Sequence, residues 1–278
     1  MRAYRQLSVA TLAVASLCIT GCASIVRKPE VDVVKKVAIV SLYANQDLYK
    51  LADNKSIGGG FSFLKKAVDG KDQDNSDQDN RVRLAKFAYD EFVANLGKVP
   101  GWEIVPADKI VGNGFYQAMG KTKTGSNALG AVGDFATRMH QASFATPPKM
   151  WAIPSDSDQW DNRRATEMTE LCKKLGVDAV AVVHMDWAYE SSFALVGTGT
   201  AKASVAASTK VWTRDGKFGV YFPDRKPHQS GDRFQSDRSM AMVSGKIFMT
   251  ADNEVAYQEA IRKSARWTRD TIAEGLKK

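Results

Sequence analysis

The sequence has little cysteine and little histidine, with three residues of each in a chain of 278. It contains no His-Glu-x-x-His motif and no Cys-x-x-Cys pair, which excludes the common zinc motifs. A Gly-x-Ser-x-Gly motif is also missing, so a familiar nucleophile of hydrolases is excluded as well. Beyond residue 21, no apolar run reaches the roughly twenty residues that a membrane-spanning helix needs. These absences leave the chain without a recognisable catalytic signature.

A short apolar run behind a basic start is the clearest feature that the sequence does have. Two arginines precede the fourteen residues from Leu7 to Thr20, a run too short to cross a bilayer. The run leads into Ile19-Thr20-Gly21-Cys22, which resembles the lipobox of bacterial lipoproteins. That resemblance implies a signal peptide over residues 1–21 and a lipidated Cys22 that carries diacylglycerol and an N-acyl chain such as palmitate. No other cofactor is expected.

The lipoprotein resemblance also implies a location and a fate for the cysteines. Ala23 stands where an aspartate would retain such a protein in the inner membrane, so the periplasmic face of the outer membrane is expected for a Gram-negative source. Cys18 leaves with the signal peptide and Cys22 is acylated, so no internal disulfide can form. Cys172 lies on the apolar side of a predicted helix, which favours a buried, unreactive thiol.

The charge of the chain is strongly positive, with a formal net charge of +8, and about +6 once the two arginines of the signal peptide are removed. A basic domain in the cell envelope is attracted to phospholipid headgroups, lipopolysaccharide and cell-wall polymers. The same charge also serves solubility alone, and the sequence does not separate the two roles. Nucleic acid is not an expected partner for a secreted, lipid-anchored chain.

The composition predicts one folded unit of the α/β class. A single layered domain is expected over residues 35–278, with a central mixed sheet flanked by helices. A tether over residues 22–34 would join it to the lipid. Two insertions are expected, near residues 107–157 and 223–239. The first is rich in Gly, Thr, Ser and Pro and is predicted to be mostly irregular, with a short helix near residues 132–140, and the second is polar and basic.

Periodicity places the main elements within that domain. Apolar runs at 37–43 and 177–183 predict strands buried on both faces, and the second is the candidate for the centre of the sheet. Asp215-Gly216 between two apolar segments predicts a β-hairpin. Apolar residues at helical spacing predict three helices, the last of them amphipathic and C-terminal, over residues 81–96, 159–175 and 253–276.

Four segments resemble a group of periplasmic lipoproteins. This group includes the curli-secretion lipoprotein, the penicillin-binding-protein activator lipoproteins and the amino-terminal domain of the Tol translocation protein. The similarity implies a non-catalytic α/β domain that binds or assembles with other envelope proteins. It is carried by VAIVSLY at 37–43, WEIVPADKI at 102–110, KKLGVDAVAVVHMD at 173–186 and KVWTRDGKFGVYF at 210–222.

The chain also departs from that group. Its two insertions are additional, and two clear pairs of alternating strands of the length that a secretion pore needs are not found in the sequence. A secretion-pore component therefore stands as an alternative only. The main expectation is a lipid-anchored binding or assembly module of the cell envelope, without enzymatic activity and with an oligomer left open. Its partners would be the membrane, through the anchor, and other envelope proteins or a cell-wall polymer.

His184 and Asp186 are the best-placed polar pair in the sequence. They lie two residues apart on one predicted strand, so their side chains point to the same face. Ligands of open α/β sheets gather at the carboxyl ends of central strands, where this pair would lie. No third metal ligand accompanies them, so a hydrogen-bonded His-Asp pair is expected. An envelope hydrolase that uses a site near these two residues is the competing hypothesis.

A basic segment after the predicted hairpin is the other candidate contact surface. Arg225, Lys226 and Arg233 lie in it, close to two phenylalanines. Such a segment either binds an anionic partner or forms an ordinary solvated loop, and the loop is the more common outcome.

The lipobox makes a direct prediction. Labelled palmitate should enter the wild-type protein and should fail to enter Cys22→Ser, because only Cys22 follows the signal peptide at the cleavage site. Cys172→Ser is the matched control and should label like the wild type. The measurement is incorporation of label into the purified chain, together with the amino-terminal residue of the mature protein. Equal labelling of wild type and Cys22→Ser would remove the basis for the anchor.

Overall fold

The protein is built on one mixed β-sheet flanked by helices, seen in a computed structural model that describes residues 25–45, 48, 78–119, 144–153, 162–195, 198–222, 233–243 and 246–278. The predicted signal peptide and Cys22 lie outside these residues. The strands are β1 (Ile25–Val26), β2 (Lys36–Asn45), β3 (Glu103–Ile104), β4 (Phe144–Ala145), β5 (Ala179–Leu195), β6 (Thr198–Thr213), β7 (Phe218–Phe222), β8 (Phe234–Gln235), β9 (Met240–Val243) and β10 (Lys246–Ile247). The helices are α1 (Lys28–Val31), α2 (Gln78–Leu96), α3 (Ala107–Val111), α4 (Gly114–Met119), α5 (Asn162–Leu175) and α6 (Ala251–Lys277).

The strand order along the sheet is β1-β7-β6-β5-β2-β3. β2 runs parallel to β3 and to β5, whereas β4 and the strands on the β6 side of β5 pair in antiparallel fashion. β8 and β9 continue the row of partners along the outer edge of β6, and β10 follows β9. The expected α/β class with a mixed sheet and a C-terminal helix is therefore confirmed.

Two strands are buried on both of their faces, as the continuous apolar runs predicted. Every residue from Val37 to Ala44 in β2 is buried, and so is every residue from Ala179 to Val183 in β5. β5 lies between β2 and β6, which places the second run at the centre of the sheet. The run marks only the first part of the strand, however, because β5 has 17 residues and β6 has 16.

Helices cover the two faces of the sheet in separate layers. α2 and α6 pack on one face, where Phe92 and Ile261 meet the Ala181 and Val183 side of β5. α5 packs on the other face and brings Leu171 against Val182 and its neighbours. These two layers give the domain two apolar cores: the first core lies between the sheet and the α2 and α6 layer, and the second core lies between the sheet and α5.

A β-bulge in β2 changes which residues face each core. The register between β2 and β5 shifts between Ile39 and Ser41. Val37 and Ile39 face the α2 and α6 side before the bulge, and Leu42 and Ala44 face it afterwards. An inserted residue reverses the alternation of a strand beyond it, so the bulge lets both halves of β2 bury apolar side chains on each face.

Glycines end the predicted helix and turn the predicted hairpin. Gly176 has φ 66° directly after α5, the left-handed geometry that closes a helix and here leads at once into β5. Gly216 has φ 80° in the turn between β6 and β7. Gly216 also has no side chain to collide with α5, because a Cβ at this position would lie 3.0 Å from Thr169 Oγ1. The predicted helix and hairpin are confirmed at both places.

Much of the segment expected as a tether, residues 22–34, forms regular structure. Ile25 and Val26 form β1, which pairs with Tyr221 and Val220 at the edge of the sheet. α1 follows, with a proline in its first turn and Val31 buried in the core. The physical reason is that this short segment is apolar enough to complete the sheet edge. Residues 23 and 24 separate the predicted lipidation site, Cys22, from β1.

The two predicted insertions contain regular structure that the sequence did not reveal. α3, α4 and β4 lie within residues 107–157, and β8 lies within residues 223–239. These elements are short, so they lack the repeated periodicity by which longer helices and strands are recognised. Residues 120–143, 154–157 and 223–232 of the insertions lie outside the described residues.

Ion pairs join α2 to α6 along their exposed sides. Arg83 binds both carboxylate oxygens of Glu254, at 2.8 and 2.7 Å. The hydrogen bond from Arg83 lowers the pKa of the Glu254 carboxyl below its ordinary value. Arg262 donates to Glu91 at 3.1 Å and lies over the ring of Phe87. Such surface pairs contribute about 0.2–1 kcal/mol each, so apolar packing is the main link between the helices.

The central position of β5 predicts a large effect of a buried charge. Val182→Asp should destabilise the fold by several kcal/mol, because Val182 is 1% exposed and a carboxylate there would have neither water nor a partner. Val33→Asp is the matched control. Val33 is 70% exposed, so the same change should alter stability by no more than about 0.5 kcal/mol. Urea denaturation followed by circular dichroism compares the two variants, and a cooperatively folded Val182→Asp of wild-type stability would contradict the assignment.

Candidate functional site

The carboxyl ends of β2 and β5 form the switch point of the sheet. After β2 the chain passes through α2, on one face, to β3, and it returns to β5 through α5, on the opposite face. β2 and β5 are parallel neighbours, so loops diverge from their adjacent carboxyl ends. Open α/β sheets bind ligands in the crevice that such a divergence creates. This end of the sheet is therefore the candidate functional site, and His184 lies in it, as expected.

Aromatic rings from three elements fill that crevice. The His184 ring stacks on Tyr43 with a centroid distance of 4.5 Å and an interplanar angle of 13°. Phe144 of β4 meets the Tyr43 ring edge-on at 4.8 Å and also approaches His184. Tyr43 is buried and His184 is half-buried. The imidazole is thus held by ring packing at the edge of the second core.

The segment from Phe144 to Ile153 is fastened over the same strand ends by two hydroxyl groups. Ser41 Oγ donates to the carbonyl of Trp151 at 2.9 Å and accepts from the Ile153 amide at 3.0 Å. Tyr116 Oη accepts from the Trp151 amide and donates to the Val40 carbonyl, both at 2.9 Å. Burial raises the pKa of Tyr116 to about 12, so the hydroxyl keeps the proton it donates. Ser41 lies next to the β-bulge, so its side chain does not follow the regular alternation of the strand.

Asp186 is held by Arg233, which reaches over β6 from the start of β8. Arg233 Nη1 donates to Asp186 Oδ2 at 2.6 Å, and Nη2 donates to the Asp186 carbonyl at 3.0 Å. Nε and Nη2 also donate to the hydroxyl and carbonyl oxygens of Ser204, each at 2.8 Å. The Arg233 side chain is 5% exposed and that of Asp186 18%. Each charge is largely withdrawn from water, and each depends on the other.

The network extends one step further to Glu190. Ser204 Oγ donates to Glu190 Oε1 at 2.8 Å, and the other carboxylate oxygen accepts from Gln235 Nε2. Glu190 lies on the same face of β5 as His184 and Asp186, since all are an even number of residues apart. Asp186, Glu190, Ser204, Arg233 and Gln235 are called the arginine cluster below. It links β5, β6 and β8 through polar side chains.

The residues after Arg233 are also fixed to their surroundings. Ser236 binds both backbone groups of Ala203, as a neighbouring strand would. Its amide donates to the Ala203 carbonyl at 2.9 Å, and its hydroxyl accepts from the Ala203 amide at 3.1 Å. Lys263 of α6 binds Asp237 at 2.7 Å. Arg238 contacts Glu259 of the same helix. The end of the second insertion is thus attached both to the sheet and to α6.

Two expectations about this region need correction. Asp186 has Arg233 as its ion-pair partner, in place of the expected His184, because Arg233 enters from β8 while the imidazole turns toward Tyr43. Arg233 itself was expected on a contact surface or in a solvated loop, and it is buried in the arginine cluster instead. Arg225, Lys226 and Cys22, the other predicted site residues, lie outside the described residues.

One feature of the sequence, a third polar residue on the His184 and Asp186 face of β5, indicates the arginine cluster. Glu190 continues the polar alternation of His184 and Asp186 along β5, so a third polar residue on that face was readable. A long polar row on a central strand requires a partner, and a buried arginine is the side chain best suited to bind carboxylate and carbonyl oxygens together. All three nitrogens of the Arg233 guanidinium donate to protein oxygens, so the cluster fastens the fold and does not aim its charge at a ligand.

Cys172 is buried against the sheet, as predicted. Burial raises the pKa of its thiol to about 12, which makes the thiolate scarce and the side chain a poor nucleophile. Among the residues that the structure describes, no group of three or more metal-ligating side chains comes together. Within the same ranges, no helix is both long enough and apolar enough to cross a membrane.

Comparisons with known proteins identify no family for this chain: no family model matches its sequence, and no curated protein matches it significantly.

The arginine cluster predicts a strong dependence of Asp186 on its partner. Arg233→Met should cost about 3 kcal/mol of unfolding free energy, because it leaves a carboxylate unpaired in a largely dry site. The double variant Asp186→Leu with Arg233→Met should recover most of this loss, since it removes both charges. Urea denaturation of the single and double variants measures the coupling between the two residues.

Arg238→Met is the matched control for this prediction. The Arg238 side chain is 47% exposed and pairs with two acidic residues at the surface, so its loss should cost no more than about 1 kcal/mol. An equal cost for Arg233→Met and Arg238→Met would mean that the cluster contributes no more than a surface pair.

Proposed function

We propose that the protein is a lipid-anchored, non-catalytic binding or assembly module at the periplasmic face of the outer membrane. The observation that carries this proposal is the short distance between the lipobox and the fold. Ile25 is already paired in the sheet, three residues after Cys22. Three extended residues reach only about 10 Å. An acyl-modified Cys22 would therefore hold a rigid domain directly against the bilayer and would leave it little freedom to diffuse outward.

The contacts of the polar residues support binding over catalysis. Asp186 is neutralised by Arg233, and His184 is packed against Tyr43. A general base needs access to the proton that it removes, and a nucleophile needs a base beside it. Cys172 is buried, so it does not meet the second requirement. These contacts give each of the three residues a role in the stability of the domain.

The partners that fit this proposal are other envelope proteins or a cell-wall polymer, and an oligomer is compatible with it. The surface to test first is the insertion over residues 107–157. Its described parts, α3, α4 and the segment with β4, rest on the second core beside the switch point. Pro148 and Lys149 of that segment are exposed. Surface segments supported by a rigid sheet commonly carry recognition.

The proposal is tested by complementation of a deletion strain combined with cross-linking in membranes. His184→Gln removes the imidazole of the competing hydrolase hypothesis while leaving the buried Asp186–Arg233 pair intact. It should complement fully and cross-link to the same envelope partners as the wild type. Cys22→Ser should fold normally but be released from the membrane and complement poorly, because the domain no longer stays at its site of action.

Loss of complementation in a folded, membrane-bound His184→Gln that keeps its partners would favour the hydrolase and contradict a pure binding role. Normal complementation by Cys22→Ser would contradict the importance of the anchor. Cross-linking with the wild type and both variants, normalised to protein level, separates these outcomes from a simple loss of expression.

A further inference from the structure

Exposed lysines collect at one end of the domain, where three helices finish. α2 ends before Lys98, and its loop enters β3 beside the start of β2. α5 ends with Lys173 and Lys174, and its loop enters β5 beside the same point. All three lysines are exposed. Cations near helix carboxyl ends complement the helix dipole, which gives a local reason for their positions.

Two further pairs of lysines lie at this end. One pair is not at a helix end, and the other pair comes from a distant part of the sequence. Lys35 and Lys36 are exposed at the start of β2, which is a strand. α6 brings Lys277 and Lys278 to the β1 edge, and both are exposed. The approach is close: a Cβ on Gly275 would lie 2.5 Å from Val26 Cβ. These exposed lysines, with those that follow α2 and end α5, are called the lysine-rich end.

Part of the acidic charge at this end is turned inward or already paired. The Asp178 carboxylate accepts the backbone amides of Lys35 and Lys36, at 3.1 and 2.9 Å. Asp215 pairs with Lys217 at 3.0 Å. Asp32, Glu103 and Glu274 are exposed in the same neighbourhood, and the seven lysines of the lysine-rich end outnumber them.

Apolar side chains are exposed in the same neighbourhood. The structure has three exposed large apolar residues within its described ranges, and two of them, Ile25 and Val33, flank α1. A cavity of about 360 Å³ opens beside Val33, lined by both bases and acids: Arg214, Lys217, Glu30, Asp178 and Asp215. Exposed apolar residues among lysines are typical of a surface that rests in the headgroup region of a bilayer.

We infer that the lysine-rich end faces the bilayer and contacts the headgroups of anionic phospholipids. The inference rests on the proposed lipidation of Cys22, which lies three residues before Ile25 and within about 10 Å of it. β1 runs toward the lysine-rich end, and Ile25 pairs with Tyr221, three residues along β7 from Phe218 at that end. Cys22 and the exposed lysines can therefore lie no more than roughly 20 Å apart along the chain and the strand. The opposite end of α6, with Phe248 and β9, points away from the membrane. α6 has 27 residues and spans about 40 Å, so the two ends are far apart.

Orientation on the membrane is the direct test. The full lipidated protein, with acylation verified by mass, is reconstituted in vesicles of phosphatidylethanolamine and phosphatidylglycerol. A fluorophore on Val33→Cys reports the lysine-rich end, and one on Phe248→Cys, where the native side chain is 49% exposed, is the matched control. Native Cys172 is buried and the pKa of its thiol is about 12, so the added cysteine labels first.

A lipid that carries a quencher in its headgroup should quench the probe at position 33 strongly and leave the probe at position 248 near its level in solution. The difference should shrink in phosphatidylcholine vesicles. It should also shrink when NaCl is raised from about 0.1 M to about 1 M, which shortens the Debye length from about 10 Å to about 3 Å. Equal quenching at both positions, or quenching at position 33 that ignores lipid charge and salt, would overturn the inference.

Charge reversal provides a second measurement that needs no anchor. The mature Cys22→Ser chain is sedimented with phosphatidylglycerol vesicles, with and without Lys277→Glu and Lys278→Glu. Each lysine near an anionic surface strengthens partitioning about fivefold, so this pair should weaken it by at least an order of magnitude. Lys86→Glu with Lys109→Glu makes the same change of net charge at exposed lysines elsewhere and should weaken it clearly less.

The outcomes separate this inference from the proposed function. Failure of palmitate to label Cys22 removes the anchor, and the proposed function with it. Correct acylation with no preferred orientation, or equal effects of the two charge-reversal pairs, overturns the membrane contact alone. Binding of the Cys22→Ser chain to purified peptidoglycan but not to anionic vesicles would assign the lysines to a cell-wall polymer and would also overturn it.

Discussion

The burial of the first part of β5 on both faces is the constraint on which the rest of the fold depends. From Ala179 to Val183 the strand has β2 on one side, β6 on the other, and a helical layer on each face. A strand in this position has no contact with water, so each residue must be apolar and each backbone group must be paired. The two cores, the direction of the α5 crossing and the site at the strand ends all follow from that arrangement.

The second part of β5 has a different character, and the contrast explains the arginine cluster. Beyond Val183, polar side chains alternate along one face, while Met185 and Trp187 stay in the first core on the other. His184, Asp186 and Glu190 on this face are half-buried, so the polar face is partly covered and cannot rely on water alone. Arg233, directly before β8, supplies the missing donors. The network holds β8 to the β5–β6 pair and leaves no cationic group of Arg233 directed at a ligand.

The edge strand β1 connects the fold to the proposed anchor. Pairing of Ile25 and Val26 with β7 uses the backbone groups of a sheet edge that would otherwise be open. It also fixes the direction from which the chain enters the domain, close to the end of α6. A flexible tether would have allowed many orientations at a membrane. Because the segment after the proposed anchor is paired in the sheet, the folded domain itself determines which surface would face the membrane. The lysine-rich end matters for that reason.

The sequence by itself determined the elements whose signal is local. The buried strands, the three long helices and the Asp215-Gly216 hairpin were readable because periodicity and turn chemistry are written in neighbouring residues. The side-by-side placement of His184 and Asp186 was readable for the same reason. Their partners were not: Arg233 lies 47 residues from Asp186, and it reaches the carboxylate only through the pairing of β8 with β6. Likewise, two-residue β1 is too short to show any period, and the role of Ser41 depends on a bulge set by the register with β5. Tertiary structure decided these contacts because each joins segments that the chain keeps apart and only the assembled sheet brings together.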